Sequence, residues 1–364
     1  MPLSVLGIGT AVPRYRLDQQ EVLARLSEGM REEPGAARWA RRVFAQCGVT
    51  TRYTCVPDLL EPADRCRYVS AAPRADTPAT SERMAAYRRE SVPLAAEASR
   101  KALADSRTRP GEITHLIAAS CTGLFLPGLD AELAWQLDLP PAVRRIPLTF
   151  TGCAAGLMAI RLASEIARSD PDAKVLVSAI ELCTLHIQPS YAKEDLYSAA
   201  FFGDGASACV VGTADTGRPR TFELREAGAV LLPGTADKMI WTLGDYGFNL
   251  FLSPQIPQLI AERVPSAFRT FWGETAMPAL WAIHPGGKGI VDALQSSFRL
   301  TDSQTEASRS VLRDCGNMSS ATILFVLDEL RRRNGRSGEG PKDGIALAFG
   351  PGITAELLRF VYCP

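Results

Sequence analysis

Two hydrophobic patterns alternate along the chain. Short runs of consecutive apolar residues bounded by turn formers predict strands buried on both faces: Met1 to Gly9, His115 to Ser120, Ala173 to Ile180, Ala206 to Val211, Leu280 to Ile283 and Ile345 to Phe349. Between them lie stretches of helical spacing. Ser81 to Ser106 carries Met84, Ala85, Val92, Leu94, Ala95, Ala98 and Leu103 toward one side and arginines toward the other, with Pro93 predicting a break. Ala154 to Ala167, with Leu157, Met158, Ile160, Leu162 and Ile166, predicts a mostly buried helix, and a second apolar helix starts after Asn317. This alternation predicts an α/β fold of layered sheets covered by helices. The polar, turn-rich segment Thr213 to Arg220 predicts a junction between an N-terminal half, 1–215, and a C-terminal half, 216–364. Arg331 to Gly344 reads as a solvated connector closing a helix. Phe202-Gly203-Asp204-Gly205 before one strand and Phe349-Gly350-Pro351-Gly352 after another hint at a duplicated architecture.

Composition narrows the function classes. The 364 residues are 46% hydrophobic and 22% charged, which is globular rather than disordered or fibrous. Forty basic residues offset forty acidic ones, so no overall field favours nucleic acid or an anionic membrane, and small molecules are the expected partners. No apolar run is long enough to span a bilayer, and the first residues lack a basic segment ahead of an apolar one, so a soluble cytoplasmic protein is expected. Nine cysteines without CxxC pairs suggest buried free thiols, and neither a disulfide framework nor a metal site.

Three motifs carry chemistry: Thr151-Gly152-Cys153-Ala154-Ala155-Gly156, Ile283-His284-Pro285-Gly286-Gly287 and Gly316-Asn317-Met318-Ser319-Ser320. Each sets one reactive side chain beside small residues that let a substrate approach. Cys153 precedes a helix, whose positive end favours thiolate. His284 ends a strand, where ligands meet α/β proteins, with a satisfied core histidine as the lesser alternative. Asn317 reads either as a helix cap or as an amide donor that, with His284, stabilises a developing oxyanion. Thiol, imidazole and amide together suit acyl transfer. His115 reads as structural.

Those motifs, with Phe202-Gly203-Asp204-Gly205 and Ala348-Phe349-Gly350-Pro351-Gly352, resemble the type III polyketide synthases, the chalcone synthase family. The resemblance runs from Leu6-Gly7-Ile8-Gly9-Thr10-Ala11-Val12-Pro13 to Gly352-Ile353-Thr354-Ala355-Glu356; Ala348 departs from the family's usual glycine. It implies a thiolase-like αβαβα fold of two pseudo-duplicated halves, acting as a homodimer. It implies that Cys153 takes the starter acyl group from coenzyme A, that His284 keeps the sulfur ionised, and that His284 and Asn317 stabilise the enolate formed when malonyl-CoA loses carbon dioxide. Phe202 corresponds to the family's gatekeeping phenylalanine. Malonyl-CoA and a starter acyl-CoA are then the substrates, with no further cofactor or metal. Arg42 matches a basic contact to coenzyme A, and Gly286 and Gly287 are assigned to the same binding region; two usual lysine positions are Trp39 and Gln46 here.

The resemblance also maps a substrate cavity onto Cys121, Thr122, Cys183, His186, Trp241, Leu250 and Ser319. Cys121, Cys183 and His186 stand where plant chalcone synthases have threonine, and their segments resemble bacterial tetrahydroxynaphthalene synthases, which prime with malonyl-CoA. The indole of Trp241 should narrow the cavity toward compact starters. An alkylpyrone or alkylresorcinol synthase with a fatty acyl-CoA starter stays open, as does a non-catalytic acyl-CoA-binding subunit. A β-ketoacyl synthase fed by an acyl carrier protein would use the same three groups, but the Asn317 and Phe349 motifs favour the polyketide branch. A papain-like protease lacks its Cys-Gly-Ser-Cys-Trp context here.

Overall fold

A computed structural model describes residues 1–214, 218–273, 276–335 and 340–364. Among these, nine strands join in one sheet, in the order Leu280–Ile283, Lys342–Gly350, Thr354–Cys363, Thr221–Leu231, Leu3–Ala11, Asp204–Thr213, Val175–Leu182, His115–Ser120 and Arg144–Thr149. Every strand expected from the apolar runs is present. Three of the nine, Arg144–Thr149, Thr221–Leu231 and Thr354–Cys363, were not expected; exposed arginines and Pro147 hide the character of the first, which lies at the edge.

The pairing pattern repeats about the centre. From Arg144–Thr149 inward, the N-terminal strands pair parallel, parallel, antiparallel and antiparallel, ending on Leu3–Ala11. From Leu280–Ile283 inward, the C-terminal strands pair parallel, antiparallel and antiparallel, ending on Thr221–Leu231. The two end strands pair antiparallel through Ser4 and Val5. The C-terminal half therefore repeats the N-terminal one without a counterpart of the outermost strand. The predicted division at 215 lies outside the described residues.

Alternation along the strands assigns the layers. Ile117, Ala282, Ala346 and Ala348 turn inward onto a central pair of helices, Ala155–Ser169 and Thr322–Asn334. Leu116 and Leu176 face the outer helix Thr80–Ser106, while Trp281, Ile283, Ile345 and Leu347 face Ile256–Trp272 and Lys288–Phe298. Helix, sheet, helix, sheet, helix is the expected five-layer order. The central helices each follow a 3-10 turn, Gly152–Ala154 and Ser319–Ala321, so their N-termini meet. A Cβ on Gly156 would lie 2.1 Å from the Ser320 carbonyl oxygen, so only glycine lets the ends approach this closely.

Two expectations are corrected. Thr80–Ser106 is one continuous helix despite Pro93. The ring faces solvent while its neighbours Val92 and Leu94 are buried, so packing holds the helix together across one missing hydrogen bond. Arg331 does not belong to a solvated connector: it is buried in the last turn of Thr322–Asn334 and paired with Asp105 and Asp328.

Candidate active site

The three motifs converge where the central helices meet. Cys153 occupies the 3-10 turn leading into Ala155–Ser169, and its thiol lies near Ser319 and Asn317 of the opposing turn, with which it lines one cavity. Asn317 satisfies both readings of the sequence. Its Oδ1 accepts from the Ser319 backbone N–H at 2.8 Å, a turn-capping role, while Nδ2 donates to the Gly286 carbonyl at 3.1 Å on the wall of the cavity that also holds Cys153. His284 follows the strand Leu280–Ile283, anchored by its backbone N–H to the Leu347 carbonyl at 2.8 Å. Among the described residues neither ring nitrogen of His284 has a hydrogen-bond partner, although both are buried. Buried polar atoms left unpaired are costly and concentrate at functional positions.

Electrostatics differ from the sequence expectation. Burial pushes the Cys153 thiol up to about 11, the Glu181 carboxylate adds to that, and hydrogen bonds from Ser319 and Asn317 oppose it. Burial drives His284 down to about 3. The helix-end field favours thiolate, whereas burial favours the uncharged form of both thiol and imidazole.

A cavity of about 590 Å³ is lined by Cys153, His284, Asn317 and Ser319, by Phe202, Trp241 and Leu250, and by Arg42, Gly286 and Gly287, of which Gly286 adjoins the His284 ring. Its volume suits a small-molecule substrate. Phe202 ends the helix Lys193–Phe201, and its strand-like backbone pairs with Asn317. Cys183 and His186 line a much smaller adjoining cavity, which shares Ser198, Phe202, Trp241 and Leu250 with the large one. His186 is fully engaged: Nε2 donates to the Thr122 carbonyl at 2.7 Å and Nδ1 accepts from the Phe248 backbone N–H at 3.0 Å, with the two rings stacked at 4.3 Å. Burial accordingly holds it down at about 4.

Cys121 and Thr122 do not line the large cavity. Both turn to Glu181, the Cys121 sulfur at 3.0 Å and the Thr122 hydroxyl at 2.7 Å, and Cys121 reaches the cavity only through Ser319 at 3.4 Å. Glu181 is the residue that sequence reasoning missed. It is fully buried, its carboxyl is raised by burial, and it also receives Ser320. The available signal was a single acid at the end of the otherwise uncharged strand Val175–Leu182. Lys193 and Lys288 were also missed; both flank the mouth, Lys193 lying over the Trp39 ring at 5.5 Å. Among the described residues, no cluster of three His, Cys, Asp or Glu side chains could hold a metal ion, and no helix is long and apolar enough to cross a membrane.

A five-layer α/β fold with thiol, imidazole and amide in one cavity defines a thiolase-like acyl-transfer architecture. Comparison narrows the class: residues 2–215 match the N-terminal domain of chalcone and stilbene synthases and residues 223–361 match the C-terminal domain. The chain belongs to this family, the type III polyketide synthases, which are acyltransferase-type enzymes. It is 32% identical to type III polyketide synthase 21 of Oryza sativa subsp. japonica, over 97% of this chain and 92% of that protein. It is 31% identical to an alpha-pyrone synthesis polyketide synthase-like protein of Mycobacterium tuberculosis, over 97% and 90%. The C-terminal type III polyketide synthase domain of the Dictyostelium hybrid Steely1 superposes with a TM-score of 0.89 at 27% identity, covering 100% of both chains.

Proposed function

We propose that this type III polyketide synthase loads a compact acyl-CoA on Cys153 and extends it by decarboxylative condensation with malonyl-CoA. One observation carries the reading: Cys153, His284 and Asn317 line one cavity, and among the described residues both ring nitrogens of His284 are buried there without a hydrogen-bond partner. In the loading step His284 takes the Cys153 proton as the sulfur attacks the starter thioester, and returns it to the departing coenzyme A thiolate. The thioester oxygen of malonyl-CoA then accepts hydrogen bonds from the His284 ring and the Asn317 amide. Carbon dioxide leaves, these donors hold the enolate, and its carbon attacks the acyl-Cys153 carbonyl, freeing the sulfur for the next transfer. Each step moves a proton, an acyl group or carbon dioxide, so the cycle requires no redox cofactor. Phe202 walls the site with an apolar face that disfavours the malonyl carboxylate. Arg42, Lys193 and Lys288 would receive the coenzyme A phosphates, with Gly286 and Gly287 leaving room for the pantetheine arm.

Trp241 supports a compact starter, and malonyl priming as in tetrahydroxynaphthalene synthases is the favoured form. A second reading, a fatty acyl starter and a pyrone product, draws on the small cavity behind Trp241 and on the similarity to the alpha-pyrone synthesis protein. A homodimer fits the exposed Leu126, Trp135 and Phe150 beside the edge strand Arg144–Thr149. Nine free thiols suit the reducing cytoplasm.

Incubation with carboxyl-labelled malonyl-CoA, alone and with short or long acyl-CoAs, tests the reading. Labelled carbon dioxide should be released, and Cys153→Ala should yield no condensation product. Mass spectrometry then separates the two starter readings. A chain that binds malonyl-CoA without releasing carbon dioxide would be an acyl-CoA-binding subunit instead.

A further inference from the structure

Arg52 is among the largest fully buried side chains, 1% exposed, and no carboxylate bonds it among the described residues. It lies on the short strand Thr51–Thr54. Its guanidinium donates to the carbonyls of Ala199 and Ala200 at 2.6 Å each and to Gln19 Oε1 at 2.5 Å. Those carbonyls belong to the last turn of Lys193–Phe201, where a helix leaves its acceptors unpaired and its dipole negative, so a cation fits. Burial pulls Arg52 down to about 10, which leaves it charged at neutral pH.

The base of the same side chain lies under the two active-site loops. A Cβ on Gly203 would lie 3.1 Å from Arg52 Cβ, and one on Gly316 would lie 3.3 Å from it. Directly above, the loops are laced together: the Asn317 N–H donates to the Phe201 carbonyl at 2.8 Å, and the Gly203 N–H donates to the Asn317 carbonyl at 3.0 Å. One end of Arg52 therefore pins the helix that delivers Phe202, and the other supports the bridge that sets Asn317 against Phe202.

We propose that Arg52 is a positioning residue that holds the Phe202 wall and the Asn317 amide in register with each other and with Cys153. It touches neither substrate nor sulfur and acts through those two loops. Lysine keeps the charge but lacks the fork that spans two carbonyls and Gln19. The inference rests on the proposed function only where turnover is measured, so a readout independent of malonyl-CoA is included.

Arg52→Lys and Arg52→Met are to be compared with the wild-type chain, with Gln19→Met as a milder variant that spares the arginine but removes one of its acceptors together with the Gln19 donor to the Ala200 carbonyl. Alkylation of Cys153 by iodoacetamide, followed by peptide mass spectrometry across pH, reports whether Asn317 still faces the sulfur. Its midpoint should rise by at least about half a pH unit in the arginine variants, because the Asn317 amide, whose nearby dipole favours thiolate, is displaced. Carbon dioxide release should lose at least about tenfold in kcat with KM changed less than about threefold, since the mouth is untouched. Gln19→Met should move both readouts in the same direction by less, and it decides the matter should the arginine variants fail to fold. An alkylation midpoint equal to wild type in a folded variant overturns the proposal. Absence of turnover in the wild-type chain would instead overturn the proposed function, and the alkylation result would still decide the role of Arg52.

Discussion

Asn317 illustrates how one side chain serves fold and chemistry together. Its oxygen caps the turn Ser319–Ala321 while its nitrogen faces the sulfur, so capping aims the amide. Asn317→Asp keeps the capping oxygen and replaces the donor with negative charge. Carbon dioxide release should fall by at least about a hundredfold because an enolate donor is lost, and the melting temperature should fall as well, because the capping acceptor is kept but the buried donor to the Gly286 carbonyl is replaced by negative charge. The buried histidines predict a pH effect of definite sign. His186 is held at about 4, below the ordinary value of a free histidine, so as pH falls the unfolded chain takes up the proton first. Its stabilising contribution is present above about pH 6.5 and is lost as pH falls toward 4. His284 acts in the same direction, whereas Asp204, raised to about 6 by burial, acts oppositely. The difference between wild type and His186→Gln therefore isolates one residue: the drop in melting temperature between pH 6.5 and 4 should be smaller in the variant. Cys153, His284 and Asn317 were legible in the sequence because each sits in a motif with a turn beside it. The pull of burial toward uncharged Cys153 and His284 was not legible, because it depends on how completely distant segments exclude water from them.

At the scale of elements, the hairpin Met239–Gly244 with Gly247–Leu252 sets the cavity wall. Trp241 and Leu250 lie opposite each other in its register, and both separate the large cavity from the small one behind. His186 secures the hairpin to the loop after His115–Ser120 through Phe248 and Thr122. Trp241→Gly should join the two cavities, and competition assays with acyl-CoAs of graded length should show longer starters gaining relative kcat/KM. An unchanged starter range would mean that the hairpin closes over the gap. Neither the hairpin nor the partition was expected from the sequence; the partition arises because Phe202, at the end of a separate helix, lines the same two cavities as Trp241. Helix Thr80–Ser106 teaches a related lesson: Pro93 weakens a helix locally, but burial along its other face decides its continuity.

For the whole molecule, the pseudo-duplicated sheet brings two equivalent helix N-termini together and leaves one strand, Arg144–Thr149, at an uncovered edge. Leu126 at 89% exposure, Trp135 at 64% and Phe150 at 52% lie near that edge in sequence. If a second copy covers them, light scattering after size exclusion should give twice the chain mass, and Leu126→Glu with Trp135→Glu should shift the population to monomer. A wild-type monomer would oppose the dimer reading while leaving the fold intact.

The sequence by itself determined the layered α/β class, the buried strands and the three reactive side chains, because apolar periodicity and turn chemistry are local properties carried within each segment. Tertiary structure alone decided that Glu181 holds Cys121 and Thr122 away from the cavity, that Arg331 is buried, and that burial favours the uncharged thiol and imidazole. Each of those outcomes depends on desolvation or on a hydrogen bond between residues far apart in the chain, and such contacts exist only once the layers have packed.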